Sequence, residues 1–217
     1  MRNRKRKWVK DELENCEFYI NNPKEQKGSW RKLYKRNGPM HLELGCGKGL
    51  FIAELAKRHP KINYLAIDLI DDMLGLAKRN IEKSFEGERQ VDNVLLTAWN
   101  IEQILEIFEN EEFERIYINF CNPWPRPRHN KRRLTHTKQL ELYRKILSGN
   151  GEIYFKTDDD SLYRASLNYF EEAGFNVYAK TEDLEKVRIF DENIETEHEK
   201  MFKEQGVKIK GIKAYKI

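Results

Sequence analysis

Three glycines at alternate positions constrain the fold of this chain more than any other sequence feature. They lie in residues 45–49, Gly-Cys-Gly-Lys-Gly, directly after residues 41–44, whose pattern is typical of a short strand. Apolar residues then recur at helical spacing over residues 50–58. Glycine is needed where the backbone turns tightly and approaches a ligand without an intervening side chain. A strand, a glycine loop and a helix in this order predict a nucleoside-binding α/β domain.

Strand-like and helix-like segments alternate along the rest of the chain. The further predicted strands cover residues 64–67, 94–97, 115–120, 152–155, 175–178 and 207–215. The further predicted helices cover residues 71–83, 101–108, 137–147 and 161–172. This alternation predicts an α/β fold with a doubly wound, mostly parallel, Rossmann-like sheet, helices on both faces and right-handed crossovers. In such sheets ligands bind at the carboxyl ends of the strands.

Positive charge is concentrated in two places. The net charge is only +4 for 217 residues, but residues 126–133 contain five Lys and Arg side chains and no acid. We predict a basic N-terminal extension over residues 1–38, followed by one domain over residues 39–217. Clustered cations are typical of proteins that contact a phosphate backbone. The cations that crowd the start of the extension are Arg2, Arg4, Lys5, Arg6 and Lys7.

Cysteine usage and hydropathy indicate a soluble cytoplasmic protein. The three cysteines, Cys16, Cys46 and Cys121, lie far apart and lack metal-ligand spacing, which fits a reducing compartment and predicts no metal site. No apolar run approaches the roughly 18 residues of a membrane span. The basic N-terminus precedes acidic residues instead of an apolar signal core. Monomer and homodimer both fit this sequence.

Acidic residues beside the glycine loop indicate which nucleoside cofactor binds there. Asp68 closes the second predicted strand, where a carboxylate can accept both ribose hydroxyls. Glu43 would repel a pyrophosphate, but it suits the cationic amino-acid end of S-adenosylmethionine. The glycines Gly45, Gly47 and Gly49 are also spaced more tightly than in the dinucleotide fingerprint. The pattern favours S-adenosylmethionine, with a dinucleotide site and a simple strand-to-helix turn as the alternatives.

Asn100 has two interpretations. It follows the third predicted strand, where its side chain could contact the adenine amino group of the cofactor. It also precedes a predicted helix and could be the N-cap of that helix. The two roles are compatible.

The segment 119–134, Asn-Phe-Cys-Asn-Pro-Trp-Pro-Arg-Pro-Arg-His-Asn-Lys-Arg-Arg-Leu, follows the fourth predicted strand. We call it the basic loop. Its three prolines stiffen the backbone, Trp124 offers a flat face to a nucleic-acid base, and its cations can contact phosphates. Cys121 has no neighbouring base that would activate it as a nucleophile, so we expect a small buried residue there.

The basic loop resembles the signature of the bacterial tRNA (guanine-N(7)-)-methyltransferase family, in which Asp-Pro-Trp-Pro precedes basic residues and Arg-His-x-Lys-Arg-Arg. The resemblance extends over nearly the whole chain, through the glycine loop, Asp68, residues 156–158 (Lys-Thr-Asp) and residues 196–199 (Thr-Glu-His-Glu). It implies methyl transfer from S-adenosylmethionine to the 7-nitrogen of guanine 46 in the tRNA variable loop, which forms 7-methylguanosine.

The resemblance also implies roles for individual residues, with Asn122 at the position often treated as catalytic. Cofactor contacts are implied for Glu43, Gly45, Gly47, Gly49, Asp68, Asn100 and Asn122. Contacts to the substrate guanosine are implied for Arg126, Asp158, Thr196, Glu197, His198 and Glu199. RNA contacts are implied for Arg128, His129, Asn130, Lys131, Arg132 and Arg133.

The implied chemistry needs positioning more than proton transfer. The 7-nitrogen of guanine has an in-plane lone pair and no proton, so no general base is required, and alignment of the reacting atoms dominates. The base becomes cationic as it reacts, so nearby carboxylates favour the reaction. Asp158 or Glu199 could also accept hydrogen bonds from the ring NH and the amino group of guanine, which would reject adenine.

Three positions depart from the family pattern. The family has Asp at the positions of Asn100 and Asn122, and Lys at the position of Arg126. Asparagine keeps the shape and one acceptor of aspartate but loses the charge, so Asn122 can position groups but cannot be a base. The exchange of Lys for Arg126 keeps the charge and changes the geometry.

Two alternative functions remain at this point. Residues 122–124, Asn-Pro-Trp, resemble the Asn-Pro-Pro-aromatic motif of enzymes that methylate exocyclic amines, so adenine or cytosine could be the target. The second proline of that motif is absent here. The second alternative is a non-catalytic RNA-binding relative, motivated by the missing acids at positions 100 and 122.

Overall fold

The computed structural model describes residues 6–187 and 193–217. The chain divides into two compact units, Met1–Phe108 and Glu109–Ile217. Each unit carries part of a seven-stranded sheet and the helices next to it in the sequence.

The first unit begins with helix α1 (Lys7–Glu14), followed by short 3₁₀ helices at Pro23–Gln26 and Trp30–Leu33. The indole of the fully buried Trp30 donates a hydrogen bond to the backbone oxygen of Ile107 at 2.7 Å. The amphipathic spacing of α1 buries Val9 and Leu13 within the unit. The described part of the predicted extension therefore packs on the first unit, and Arg2, Arg4 and Lys5 lie outside the described residues.

Three parallel strands form the sheet of the first unit. Strand β1 (Met40–Leu44) pairs with β2 (Asn63–Asp68), and β2 pairs with β3 (Val94–Ala98). All five residues of β1 are buried, as expected for an inner parallel strand. Helix α2 (Leu50–Arg58) follows β1, and helix α3 (Asp71–Phe85) follows β2. The carboxyl ends of these strands lie at one edge of the sheet because the strands are parallel.

In residues 109–187 and 193–217, the second unit contains four strands and three α-helices. In chain order they are β4 (Phe113–Asn119), α4 (Thr137–Ile146), β5 (Leu147–Thr157), α5 (Asp160–Glu172), β6 (Phe175–Thr181), α6 (Glu197–Glu204) and β7 (Lys210–Lys216). Strands β4 and β5 are parallel, whereas β7 is antiparallel to both β5 and β6. The basic loop starts at the end of β4, and residues 157–159 turn from β5 into α5.

The strand order of the sheet is β3-β2-β1-β4-β5-β7-β6. This confirms the predicted doubly wound, mostly parallel α/β fold, with β7 as the antiparallel strand. The helix predicted over residues 101–108 is instead a 3₁₀ helix at Ile101–Glu106, because Gln103 leaves helical geometry at φ −110° and ψ 24°. The sequence analysis did not predict helices α1 and α6.

Candidate functional site

The glycine loop turns directly from β1 toward α2. The backbone nitrogens of Gly45 and Cys46 both donate to the backbone oxygen of Ile67, at 2.8 and 3.0 Å, which ties the loop to β2. Gly47 has φ 53°, a left-handed conformation that side chains rarely adopt. At Gly49 a Cβ atom would lie 2.6 Å from the Cβ of Ala77 in α3. Gly47 is therefore required by its backbone conformation, and Gly49 is required by the close packing of the loop against α3.

Asp68 holds the glycine loop in place. Its Oδ2 accepts a hydrogen bond from the backbone nitrogen of Gly47 at 2.9 Å, and its Oδ1 accepts one from Ile70 at 2.9 Å. A carboxylate has about four acceptor positions, so Asp68 can fix the loop and still accept bonds from a ligand. The predicted ribose-binding residue thus also determines the shape of the loop.

Negative charge accumulates around the loop. Glu43 is 2% exposed at the end of β1. Burial raises the pKa of the Cys46 thiol well above its usual range, and the charges of Glu43 and Asp68 raise it further. Two carboxylates therefore act on the same loop, and this favours a ligand with a cationic end.

Exposed apolar side chains adjoin these acids, and the sequence interpretation missed them. Leu69 is 68% exposed and Ile70 is 47% exposed, directly after Asp68. Large exposed apolar side chains beside polar anchors are typical of ligand sites. Their sequence signal was an apolar doublet after the acid that ends β2.

Asn100 caps the short helix that follows β3. Its Oδ1 accepts a hydrogen bond from the backbone nitrogen of Glu102 at 3.0 Å. The capping role is therefore observed, and the contact to adenine stays a prediction.

The basic loop has strained backbone at two aromatic residues. Phe120 and Trp124 have φ values of 51° and 45°, and such strain in bulky residues concentrates at functional sites. Asn122 Oδ1 accepts a hydrogen bond from the backbone nitrogen of Trp124 at 2.9 Å. Asn122 therefore holds the turn that presents Trp124.

Arg133 differs from the other cations of the basic loop. It is 4% exposed, and its Nε donates to the backbone oxygen of Pro123 at 2.8 Å. Its guanidinium group therefore binds the loop itself, whereas the sequence interpretation placed it on RNA. The exposed cations of the loop are Arg126, Arg128, Lys131 and Arg132.

The remaining predicted residues of the basic loop contact Trp124 or one of the arginines of the loop. The guanidinium group of Arg132 lies 5.2 Å from the centre of the Trp124 ring, and the His129 ring lies 5.7 Å from it. His129 Nε2 accepts a hydrogen bond from Arg128 Nε at 3.2 Å. Asn130 is half-buried, and its backbone oxygen accepts a hydrogen bond from the Arg133 nitrogen at 3.0 Å. The Trp124 ring thus has one guanidinium group and one imidazole beside it.

The surroundings of Cys121 disfavour the thiolate form of its side chain. The side chain is half-buried, and burial raises its pKa to about 12. The thiolate is therefore scarce at neutral pH, which argues against a nucleophilic role.

Three consecutive acids follow β5 and have different environments. Asp159 Oδ1 accepts from the backbone nitrogen of Leu162 at 2.6 Å and caps α5. Asp160 pairs with Lys210 at 2.6 Å. In residues 6–187 and 193–217, the Asp158 carboxylate makes no hydrogen bond and no ion pair. Of these three acids, Asp158 is therefore the one whose carboxylate oxygens can still accept hydrogen bonds from a ligand.

The segment 196–199 lies against the start of the basic loop. Thr196 Oγ1 accepts from the backbone nitrogen of Glu199 at 3.0 Å and caps α6. The His198 ring stacks on Phe120, with ring centres 5.9 Å apart and planes at 20°. Glu199 is fully buried and pairs with Lys156 of β5. The Glu197 side chain lies outside the described residues.

The described residues lack two features, a membrane-crossing helix and a metal-binding cluster. None of the helices there is both long and apolar enough to cross a membrane. Within the same residues, no group of three or more His, Cys, Asp or Glu side chains is arranged to hold a metal ion.

Comparisons with known proteins identify relatives of this chain. A family model described as "Putative methyltransferase" matches residues 37–212. A tRNA (guanine-N(7)-)-methyltransferase of Clostridium beijerinckii is 55% identical, covering 100% of this chain and 99% of the relative. A protein of the same name from Clostridium perfringens is 51% identical and covers both chains fully. A third, from Ruminiclostridium cellulolyticum, is 48% identical and covers 97% of this chain and 90% of its own.

Solved structures support the fold. An antibiotic-related methyltransferase superposes with a TM-score of 0.62 at 18% identity, covering 87% of this chain and 92% of its own. The 16S rRNA methyltransferase KamB superposes with a TM-score of 0.63 at 12% identity and the same coverage. At these identities the likeness establishes a methyltransferase-type fold and not a substrate.

Proposed function

We infer the function of this chain from its family. The chain belongs to the tRNA (guanine-N(7)-)-methyltransferase family. The chain transfers a methyl group to the 7-nitrogen of guanine 46 in the tRNA variable loop and forms 7-methylguanosine. The observation that carries this proposal is 55% identity over the full chain to a relative of that name. A tRNA substrate places the activity in the cytoplasm, and the active form is a monomer or a homodimer.

The cofactor in this proposal is S-adenosylmethionine, which supplies an electrophilic methyl group on a sulfonium centre. Glu43 would bind its cationic amino-acid end, and Asp68 would accept the ribose hydroxyls with its remaining acceptor positions. The exposed side chains of Leu69 and Ile70 are available to cover the adenine ring, and Asn100 would contact its amino group. The glycine loop allows the backbone to approach the ligand closely because Gly47 has open space where a Cβ would be.

The substrate guanine in this proposal is selected by Asp158. The ring NH and the amino group of guanine are two adjacent donors, and a carboxylate with unused acceptors can bind both. The same negative charge favours the cationic base that forms during methyl transfer. Because the 7-nitrogen carries no proton, the residues of this site orient the base and accept no proton from it.

The direct test is to identify the methylated nucleoside. The protein is incubated with labelled S-adenosylmethionine and unmodified tRNA, and the tRNA is digested to nucleosides. We expect label in 7-methylguanosine. Label in N(6)-methyladenosine would favour the exocyclic-amine alternative, which retains support from Asn122-Pro123-Trp124. Binding of tRNA without binding of S-adenosylmethionine would favour a non-catalytic relative.

A pair of arginine variants separates RNA contact from loop structure. Arg132→Ala should weaken tRNA binding roughly fivefold and reduce its log–log salt slope by about 0.9, as expected for one lost phosphate contact. Arg133→Ala should leave the salt slope unchanged, because that guanidinium group binds Pro123 inside the loop. Filter binding at a series of salt concentrations gives both slopes. Equal slope changes in the two variants would contradict the assignment.

Asn122→Asp tests the departure from the family pattern. Aspartate keeps the acceptor for the Trp124 nitrogen and adds a charge near the base that becomes cationic. We expect kcat to rise roughly tenfold, which is about 1.4 kcal/mol of transition-state stabilisation. Single-turnover methylation of tRNA measures this rate. A slower rate would show that the site is adapted to the amide.

A further inference from the structure

A buried ion pair joins β5 to the first turn of α6. Lys156 Nζ lies 2.9 Å from Glu199 Oε2, and the two side chains are 6% and 0% exposed. The same ammonium group donates to Asn193 Oδ1 at 2.9 Å and to the backbone oxygen of Ile194 at 3.0 Å. An ammonium group has three donors, so these three acceptors match its full capacity.

The Glu199 carboxylate is bound from both sides. Its other oxygen, Oε1, accepts a hydrogen bond from Asn193 Nδ2 at 2.7 Å. To bind guanine, this carboxylate would have to leave Lys156, and an uncompensated buried ammonium group is strongly destabilising. Glu199 is therefore poorly placed to contact a base, whereas the Asp158 carboxylate makes no hydrogen bond or ion pair in the described parts of the chain.

Lys156 connects several candidate substrate residues. Its backbone oxygen accepts a hydrogen bond from the Phe120 nitrogen at 2.9 Å, at the start of the basic loop. The ring of His198 stacks on Phe120, and Asp158 follows Lys156 by two residues. The ion pair thus fixes the position of the segment 193–199 relative to the basic loop and Asp158.

We propose that Glu199 is a positioning residue that orients the guanine site through Lys156 and does not contact the base. This inference rests on the proposed guanine methylation. Misplacement of reacting groups by about 1 Å costs on the order of a hundredfold in rate. We therefore expect Glu199→Gln to lower kcat roughly a hundredfold, while KM for tRNA changes less than about twofold.

Inosine distinguishes positioning from contact, because it lacks the 2-amino group of guanosine. Wild type, Glu199→Gln and Asp158→Asn are compared on tRNA transcripts with guanosine or inosine at the target position. Glu199→Gln should lower kcat/KM equally on both transcripts and leave the guanosine-to-inosine ratio unchanged. Asp158→Asn should reduce that ratio. A reduced ratio in Glu199→Gln would overturn the inference.

Two further variants test the inference if Glu199→Gln folds poorly. Asn193→Ala removes an amide that bonds both members of the pair, and it should lower kcat with the base ratio unchanged. Lys156→Met combined with Glu199→Gln should lose no more activity than either single variant, since both act through one pair. Multiplied losses, or an altered base ratio in Asn193→Ala, would overturn the inference.

Matched controls separate this inference from the proposed function. Glu195→Gln changes a half-exposed carboxylate of the same segment, which pairs with Lys203 at 2.9 Å, and it should retain wild-type kcat. Thermal melting and calorimetric binding of S-adenosylmethionine report folding. If wild type forms no 7-methylguanosine, the proposed function fails and the inference fails with it. If wild type forms it and Glu199→Gln lowers the base ratio, only the inference fails.

Discussion

Asp158→Asn is expected to lower kcat/KM for tRNA methylation roughly a thousandfold. The carboxylate is proposed to accept two hydrogen bonds from guanine, and hydrogen bonds to charged groups contribute about 1.5–3 kcal/mol each. Asparagine retains one acceptor, presents an N–H to the guanine amino group and removes the negative charge. Two impaired bonds at about 2 kcal/mol each correspond to this loss.

The neighbouring acids provide the control for Asp158→Asn. Asp160→Asn removes a charge two residues away, from a side chain that is 71% exposed and pairs with Lys210. It should keep activity within about twofold, since asparagine still offers an oxygen to Lys210 and the side chain at this position faces solvent. Nucleoside analysis of both variants under single-turnover conditions gives the rates. Comparable losses in the two variants would assign the effect to the charge of the turn and not to base recognition.

The sequence predicts those parts of the site that depend on local chain order. A strand followed by a glycine loop determines where the loop turns, and the acid that ends β2 lies at the same sheet edge because β1 and β2 are parallel. The basic loop follows a strongly apolar strand, so its position after β4 was also predictable. These features depend on the alternation of strands and helices, and the spacing of apolar residues along the sequence reveals that alternation.

Contacts between distant residues were not predictable from such patterns. Lys156 and Glu199 are 43 residues apart, and no local spacing signals that they pair. Arg133 has the same sequence signature as Arg132, yet it is buried on a carbonyl of its own loop. Whether a charged residue binds RNA or the protein depends on burial, and burial is set by tertiary packing.

Asp68→Ala is expected to weaken binding of S-adenosylmethionine by at least about a hundredfold. The variant loses the proposed ribose acceptors, and it also releases the backbone nitrogens of Gly47 and Ile70. A loss of about 3 kcal/mol follows from two charge-assisted hydrogen bonds, which is roughly a 150-fold change in Kd. Asp68→Asn retains one acceptor and should lose less.

Two assays measure the effect of Asp68→Ala on each ligand. Calorimetry gives the affinity for S-adenosylmethionine, and filter binding gives the affinity for tRNA. Affinity for tRNA should stay within about twofold, because the exposed cations of the basic loop supply the phosphate contacts. Asp71→Ala is the matched control, since it removes an exposed acid three residues away in the first turn of α3. Equal losses of both ligands would mean that Asp68 supports folding of the first unit. A selective loss of the cofactor would identify Asp68 as the residue that both shapes the glycine loop and binds the ribose.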